Sequence, residues 1–340
     1  MTDESSMKPI SIGLDDGYAY TKVALPDGRL IVIPSRGRTG RAGVTWIHQG
    51  EQRIFEYETA DAVYSVGAVD GAPTHFEGYP WSGLNRAITQ HALQEAGFAG
   101  RTVHAVSGLP VSAFYRKSGE RRQETITKKQ DSLKQNVRPL SDALAAGIAF
   151  HEVIPEALAA WYDTVIVDQG DGAALDGDLW SVPVAIVDIG GRTTDYVVVK
   201  DQGILHDSSG SFRCGMLDVK QRVAEGIQER FDLEILSEQL VARAVDQKVV
   251  RLQGKDHDVA ALVEAAKREV VERIHEETRR QLGLGVDLDR ILFVGGGTVA
   301  LAEHIAHWFP HQSIAEHPVY ANARGMLKYL RYVCEASDAA

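Results

Sequence analysis

Asp188, Gly190, Gly191 and Thr193 fall at the turn of VAIVDIGGRTTDYVVV (residues 184–199), between an apolar run and a second β-branched run. Both runs read as strands, so the four residues sit at a hairpin tip. Glycines let a backbone approach a ligand closely and aim N–H groups at it, which suits a phosphate. A carboxylate beside such a nest repels a bare phosphate, so Asp188 makes chemical sense with a divalent cation nearby. An ordinary strand–turn–strand hairpin gives the same local pattern, and this stretch by itself does not separate the two readings. The idea recurs twice. ISIGLDDGYAYTKVAL (residues 10–25) puts Asp15, Asp16 and Gly17 after one apolar strand, then Tyr18, and Lys22 on the next strand. In ILFVGGGTVALAEHI, Gly295, Gly296, Gly297 and Thr298 follow an apolar strand and open a helical pattern.

These turns need sheets to hold them. Further strands are expected at Leu30–Ile33, Val44–Ile47, Arg53–Tyr57 and Thr102–Ser107, with 35–43 a solvated basic loop and 60–80 irregular. Apolar spacing predicts helices over 82–96, closed by Gly97, and over 258–282, closed by Gly283. Charges cover the far face of the second, which packs on its own sheet or pairs in a coiled coil. The Lys/Arg-rich stretch 116–134 reads as exposed helix and loop, and its interrupting acids make it a poor nucleic-acid patch. In VIPEALAA a strand ends at Pro155 and Glu156 opens a helix of small residues, where the helix dipole favours a carboxylate by a few tenths to about 1 kcal/mol. The aspartates of 168–178 lack the spacing and final Glu of a calcium loop and read as a surface loop. His304, His307, His311 and His317 cluster without a carboxylate or thiolate to complete a recognisable metal set.

At 340 residues the chain is long enough for two domains. Its net charge of −11 argues against direct nucleic-acid binding, which rests on neutralised phosphates. Two cysteines, Cys214 and Cys334, are too few for a disulfide framework or a four-thiolate zinc site. The opening MTDESSMKP has neither a signal peptide's apolar core nor the length of a membrane span. A cytoplasmic protein without membrane contact is expected.

Taken together and in order, LDDG…TK, SGLPVSAFY, VIPEALAA, VDIGGRTTD, FVGGG and ARGMLKYL resemble the plasmid-segregation ParM/StbA family, within the superfamily of actins, sugar kinases and heat-shock chaperone ATPases. Leu109, Pro110 and Tyr115 match that family's strand-Leu-Pro-Tyr segment. The resemblance implies an α/β actin-like fold of two duplicated domains around a nucleotide cleft. The expected first domain is 1–155, with the C-terminal helix 323–340 returning to it. The second is 156–322, with a smaller helical part over about 215–285. The ligands implied are ATP, with GTP as the alternative, and Mg²⁺.

By the same resemblance, Asp15 and Asp188 hold the metal, and Asp188 and Glu156 are the catalytic carboxylates, Glu156 orienting the attacking water. Asp16, Gly17, Tyr18, Lys22, Gly190, Gly191, Arg192 and Thr193 surround phosphate. Gly215 and Asp218 border the nucleotide, and Gly295, Gly296, Gly297 and Thr298 lie against the adenosine. Tyr18 stands where many members have Ser or Thr, and Arg192 replaces a small residue. The implied function is an ATPase that polymerises head to tail and segregates plasmids through a DNA-bound adaptor of the ParR type. A non-polymerising small-molecule kinase or nucleotide-switched regulator is the alternative on this fold.

Overall fold

The computed structural model describes residues 9–44, 53–71, 74, 76–169 and 172–335. Two sheets of one plan organise them. The first contains β1 (Ile10–Asp16), β2 (Tyr20–Ala24), β3 (Leu30–Pro34), β4 (Thr102–Leu109) and β5 (Gly147–Pro155), in the order β3-β2-β1-β4-β5. The second contains β6 (Val184–Ile189), β7 (Thr194–Lys200), β8 (Gly203–Ile204), β9 (Gly210–Phe212), β10 (Arg290–Val294) and β11 (Gln312–Ile314). Its order is β8-β7-β6-β10-β11, with β9 also on β7. In each sheet the leading hairpin is antiparallel and the following strands run parallel to its first strand.

The register puts the two hairpins in correspondence. Asp15 lies opposite Lys22 across β1 and β2, and Asp188 lies opposite Asp195 across β6 and β7. One pair is complementary in charge and the other is like-charged.

Every residue of β6 is buried. Ala185, Val187 and Ile189 face a core shared with α4 (Met216–Phe231), α5 (Glu238–Gln247) and α6 (Ala260–Leu282), while Val184 and Ile186 face α3 (Leu158–Val165). A strand covered on both faces reads as a continuous apolar run, because each buried Val or Ile contributes about 1.5 to 3 kcal/mol. The expected long helix is α6, buried along Val263, Ala266, Val270 and Ile274. Helix α1 (Gly83–Glu95) starts where predicted: Ser82 Oγ accepts from the Asn85 N–H at 3.1 Å, and Gly97 closes it at φ +88.

Several expectations are corrected. Gly37–Thr39, placed in a loop, is a strand paired with Val63–Gly67, itself within the stretch read as irregular. Ile54–Glu58 and Arg138–Pro139 complete this four-stranded sheet. Short strands flanked by Gly and charge carry little local signal, and pairing decides them. The strand predicted at 44–47 falls, beyond Val44, outside the described residues. Residues 166–169 and 172–175 form an antiparallel ribbon rather than a loop, and Asp176 caps the helical turn after it.

The domains are joined by two crossing helices, α3 and α7 (Ala321–Tyr329). A Cβ on Gly325 would overlap the Ala159 carbonyl, and one on Gly13 of β1 would overlap the Ala323 carbonyl. Here glycine is required by close backbone approach. Asp163 of α3 fastens the crossing, accepting from Arg324 Nε at 3.0 Å and pairing with Lys328 Nζ at 3.0 Å. No helix among the described residues is long and apolar enough to cross a membrane.

Candidate functional site

A cleft of about 480 Å³ opens between the two hairpins. From the first come Asp15, Gly17, Tyr18 and Lys22, and from the second Asp188, Gly190, Gly191, Arg192 and Thr193. Glu156 and the glycine turn Gly295–Gly297 complete the part foreseen from sequence.

The second hairpin is braced from behind. Gly190 N–H donates to the Thr193 carbonyl at 2.9 Å, while the first amides of α4, from Met216 and Leu217, donate to the Gly190 and Gly191 carbonyls at 3.1 and 2.8 Å. Gly215 and Asp218 cap the start of α4 behind this brace and do not line the cleft. The Asp218 carboxylate accepts from the Gly215 N–H at 2.9 Å, and a Cβ on Gly215 would lie 2.6 Å from the Gly191 carbonyl oxygen. Thr298 is likewise corrected: it is buried and its hydroxyl donates to the Val294 carbonyl at 2.5 Å. Val299 and Ala300 reach the cleft instead. Gly295 and Gly297 pack against Asp188 and Ile189, whereas a Cβ on Gly296 meets nothing within 4 Å.

Asp16 turns away from the cleft. Its carboxylate accepts from Asn85 Nδ2 at 2.8 Å and is ion-paired with Lys129 of α2 (Gln123–Leu133), which is fully buried although it belongs to the stretch predicted to be exposed. Adjacent residues on a strand point to opposite faces, so Asp15 and Asp16 cannot both face one ligand. Asp15 faces the cleft and is held by Lys22 Nζ at 2.7 Å.

The cleft floor concentrates carboxylates. Removal from water, then the charges of Asp195, Asp15, Asp188 and Asp16, hold Glu156 well above the usual carboxylate range. Burial and Asp195 push Asp188 up to about 7, against the opposing pull of its bond from Asn322. Asp195 is raised by burial, while bonds from Ser211, the Val111 N–H and Thr193 oppose that. Such a cluster suits a bound cation.

The backbone beside Glu156 is strained. The Leu158 N–H donates to the Glu156 carbonyl at 2.7 Å, making a γ-turn around Ala157 at φ +61, ψ −42. Positive φ in a residue with a Cβ costs about 1 to 3 kcal/mol and collects at functional sites.

Sequence reasoning missed two residues here. Asn322 bridges Asp188 and the Ala157 N–H. Asp195 links the domains, accepting from the Val111 N–H at 2.8 Å. The one signal for Asp195 was a lone charge inside a β-branched run. The histidines gave no site: His304 Nε2 lies 3.6 Å from Glu264, and among the described residues no three His, Cys, Asp or Glu group to hold a metal by themselves.

Two like sheets on a crossed-helix hinge, with both hairpin tips and a glycine turn facing one cleft, define the actin-like fold. Residues 11–166 match the family described as plasmid segregation protein ParM, N-terminal, and residues 186–307 match archaeal actin homologue MreB-like, C-terminal. The fold is actin-like, and over its N-terminal part the chain is similar to the ParM-type family. No curated protein matches its sequence.

Among solved structures, the archaeal actin homologue Ta0583 in complex with ADP superposes with a TM-score of 0.71 at 19% identity, covering 97% of this chain and 100% of that one. A ParM from a 15-stranded filament of Clostridium botulinum gives 0.74 at 16%, covering 95% and 99%. Bacillus thuringiensis ParM with AMPPNP gives 0.65 at 14%, covering 96% and 99%.

Proposed function

We propose that this protein is a cytoplasmic ATPase that assembles head to tail into nucleotide-dependent filaments and moves plasmid DNA through a DNA-bound adaptor of the ParR type. The observation that carries the nucleotide reading is the convergence of both glycine hairpins and Glu156 on one cleft between hinged domains. Assembly is supported by the likeness to a ParM seen as a filament. The acidic charge of −11 favours an adaptor, rather than this chain, as the DNA-binding partner.

The carboxylates fit a magnesium ion. Asp15 and Asp188 face the cleft, and burial, then the charge of Asp195, raises the Asp188 carboxyl, a penalty on its ionised form that a cation would relieve. With no three ligands grouped among the described residues, phosphate oxygens and water would complete its shell, as is usual for this ion. When bound, magnesium supplies charge neutralisation at the terminal phosphates.

The chain's own residues do the rest. Gly17, Gly190, Gly191 and Thr193 bring backbone close to the phosphates, and Lys22 adds a positive charge. Glu156 orients the attacking water and holds its proton, a task for which a raised carboxyl is suited. Gly296, Val299 and Ala300 offer the adenosine a flat, apolar wall.

The test is light scattering and pelleting with ATP and magnesium, run in parallel with phosphate release. Polymer that rises with ATP and decays as phosphate appears is expected. Turnover without polymer at any reachable concentration would remove the filament and leave a switch or kinase on the same site.

A further inference from the structure

The two hairpin tips meet across the cleft through Arg192 of the second and Tyr18 of the first. The guanidinium carbon of Arg192 lies 5.3 Å from the centroid of the Tyr18 ring. Beside them a Cβ on Gly191 would sit 2.8 Å from Ala19 Cβ and 3.0 Å from Ala19 N, so the tips are in backbone contact. Tyr18 is a fixed platform: its ring is backed by Tyr79 at 5.2 Å and its carbonyl accepts from the Thr74 hydroxyl. Two ion pairs span the same gap, Arg36 with Glu238 at 3.7 Å and Arg213 with Glu77 at 3.3 Å.

A guanidinium has two good partners of different kinds. It stacks on an aromatic face, and it matches phosphate oxygens with parallel N–H bonds. Both are within reach of a residue that sits at the tip of a phosphate-facing hairpin and lines the cleft.

We propose that Arg192 reads the terminal phosphate of the nucleotide: it stacks on Tyr18 when the cleft holds a diphosphate or nothing, and exchanges that ring for the terminal phosphate of a triphosphate. This inference rests on the nucleotide reading above and adds the residue that tells triphosphate from diphosphate. A ligand shifts a conformational balance only through unequal interaction with the two states. The exchange supplies that inequality, because it trades a contact between domains for a contact with the ligand. Loss of the terminal phosphate returns the guanidinium to Tyr18 and restores the bridge.

The experiment compares equilibrium binding of a non-hydrolysable ATP analogue and of ADP, each with magnesium, to wild-type protein, Arg192→Ala, Arg192→Lys and Tyr18→Leu, with a thermal melt on each. Arg192→Ala is expected to weaken the triphosphate analogue by about tenfold or more and ADP by less than about threefold. Arg192→Lys should recover little of the difference, since an ammonium cannot make the paired bonds. Tyr18→Leu should tighten the triphosphate a few-fold by releasing its competitor. Equal losses for both nucleotides in Arg192→Ala would overturn the proposal, as would a Tyr18→Leu protein that loses triphosphate affinity as Arg192→Ala does. If Arg192→Ala does not fold, the lysine and leucine variants carry the same comparison. Wild-type protein that binds neither nucleotide would overturn the nucleotide reading itself, and this inference with it.

Discussion

Asn322 donates from Nδ2 to the Asp188 carboxylate at 2.6 Å, while its Oδ1 accepts from the Ala157 N–H at 3.2 Å. One amide on the returning hinge helix thus holds both the cleft-facing aspartate of the second domain and the strained turn that follows Glu156. Its donor and acceptor are both used, in a buried position.

Replacing Asn322 with Ala should therefore act at two places. It leaves a buried N–H and a buried carboxylate each short of a partner, at about 1 to 3 kcal/mol apiece. A fall of about 2 to 6 kcal/mol in unfolding free energy is expected, together with slower nucleotide turnover. Denaturant titration and phosphate release check it, and a variant unchanged in both would show that the bridge carries nothing.

Glu156→Gln should separate stability from chemistry. Glu156 is repelled by Asp195, Asp15 and Asp188, and a neutral amide of the same shape ends that repulsion. The nucleotide-free protein is expected to unfold at higher temperature while still binding nucleotide, with hydrolysis reduced by about 10²-fold or more. Lost nucleotide binding would assign Glu156 to the binding surface instead.

Two buried histidines set an acid limit on the fold. Burial pushes His151 down to about 3 and His91 down to about 4, both from 6.5. The unfolded chain takes up these protons below pH 6.5 and the folded chain resists them. Their contribution is therefore complete above pH 6.5 and declines as pH falls toward the folded values. Each should cost about 2 kcal/mol by pH 5. His151→Gln, which can keep a bond to Ser107 in place of the 2.8 Å one, should flatten the pH dependence of the melting temperature between 6.5 and 4.

Glycines of similar appearance in the sequence should respond differently. Gly325→Ala forces a Cβ into the Ala159 carbonyl and is expected to cost about 3 kcal/mol. Gly296→Ala has open space and should leave stability within about 1 kcal/mol, while weakening nucleotide binding because the methyl projects into the cleft. Melting curves and nucleotide titrations on the two variants separate the roles.

The central hairpins were legible because their chemistry and their burial point the same way: strand, carboxylate, glycines, strand. Val184–Ile189 could be read from its unbroken apolar run, and α6 from its spacing. What stayed hidden depends on partners far away in the chain. Asp16 is indistinguishable from Asp15 until the strand's alternation and the distant Lys129 are known, and Lys129 itself looks like any other lysine in a polar helix. Gly215, Asp218 and Thr298 border the cleft in sequence but turn inward to cap and pack. Asn322 lies 134 residues from the carboxylate it holds, a distance across which no local pattern speaks.

The helix crossing at Gly325 and Ala159 behaves as a rivet. Where two backbones touch and Asp163 clamps the joint with Arg324 and Lys328, the contacts oppose sliding more than turning about the contact point. The rivet adjoins Asn322, and so lies next to the carboxylates that a cation would pull together. A small adjustment at that point becomes a much larger swing at the outer ends of both domains, as the tips of scissors travel farther than the handles near the pin. Were subunits to join through those arms, the fold would convert a local change in charge into a change of reach.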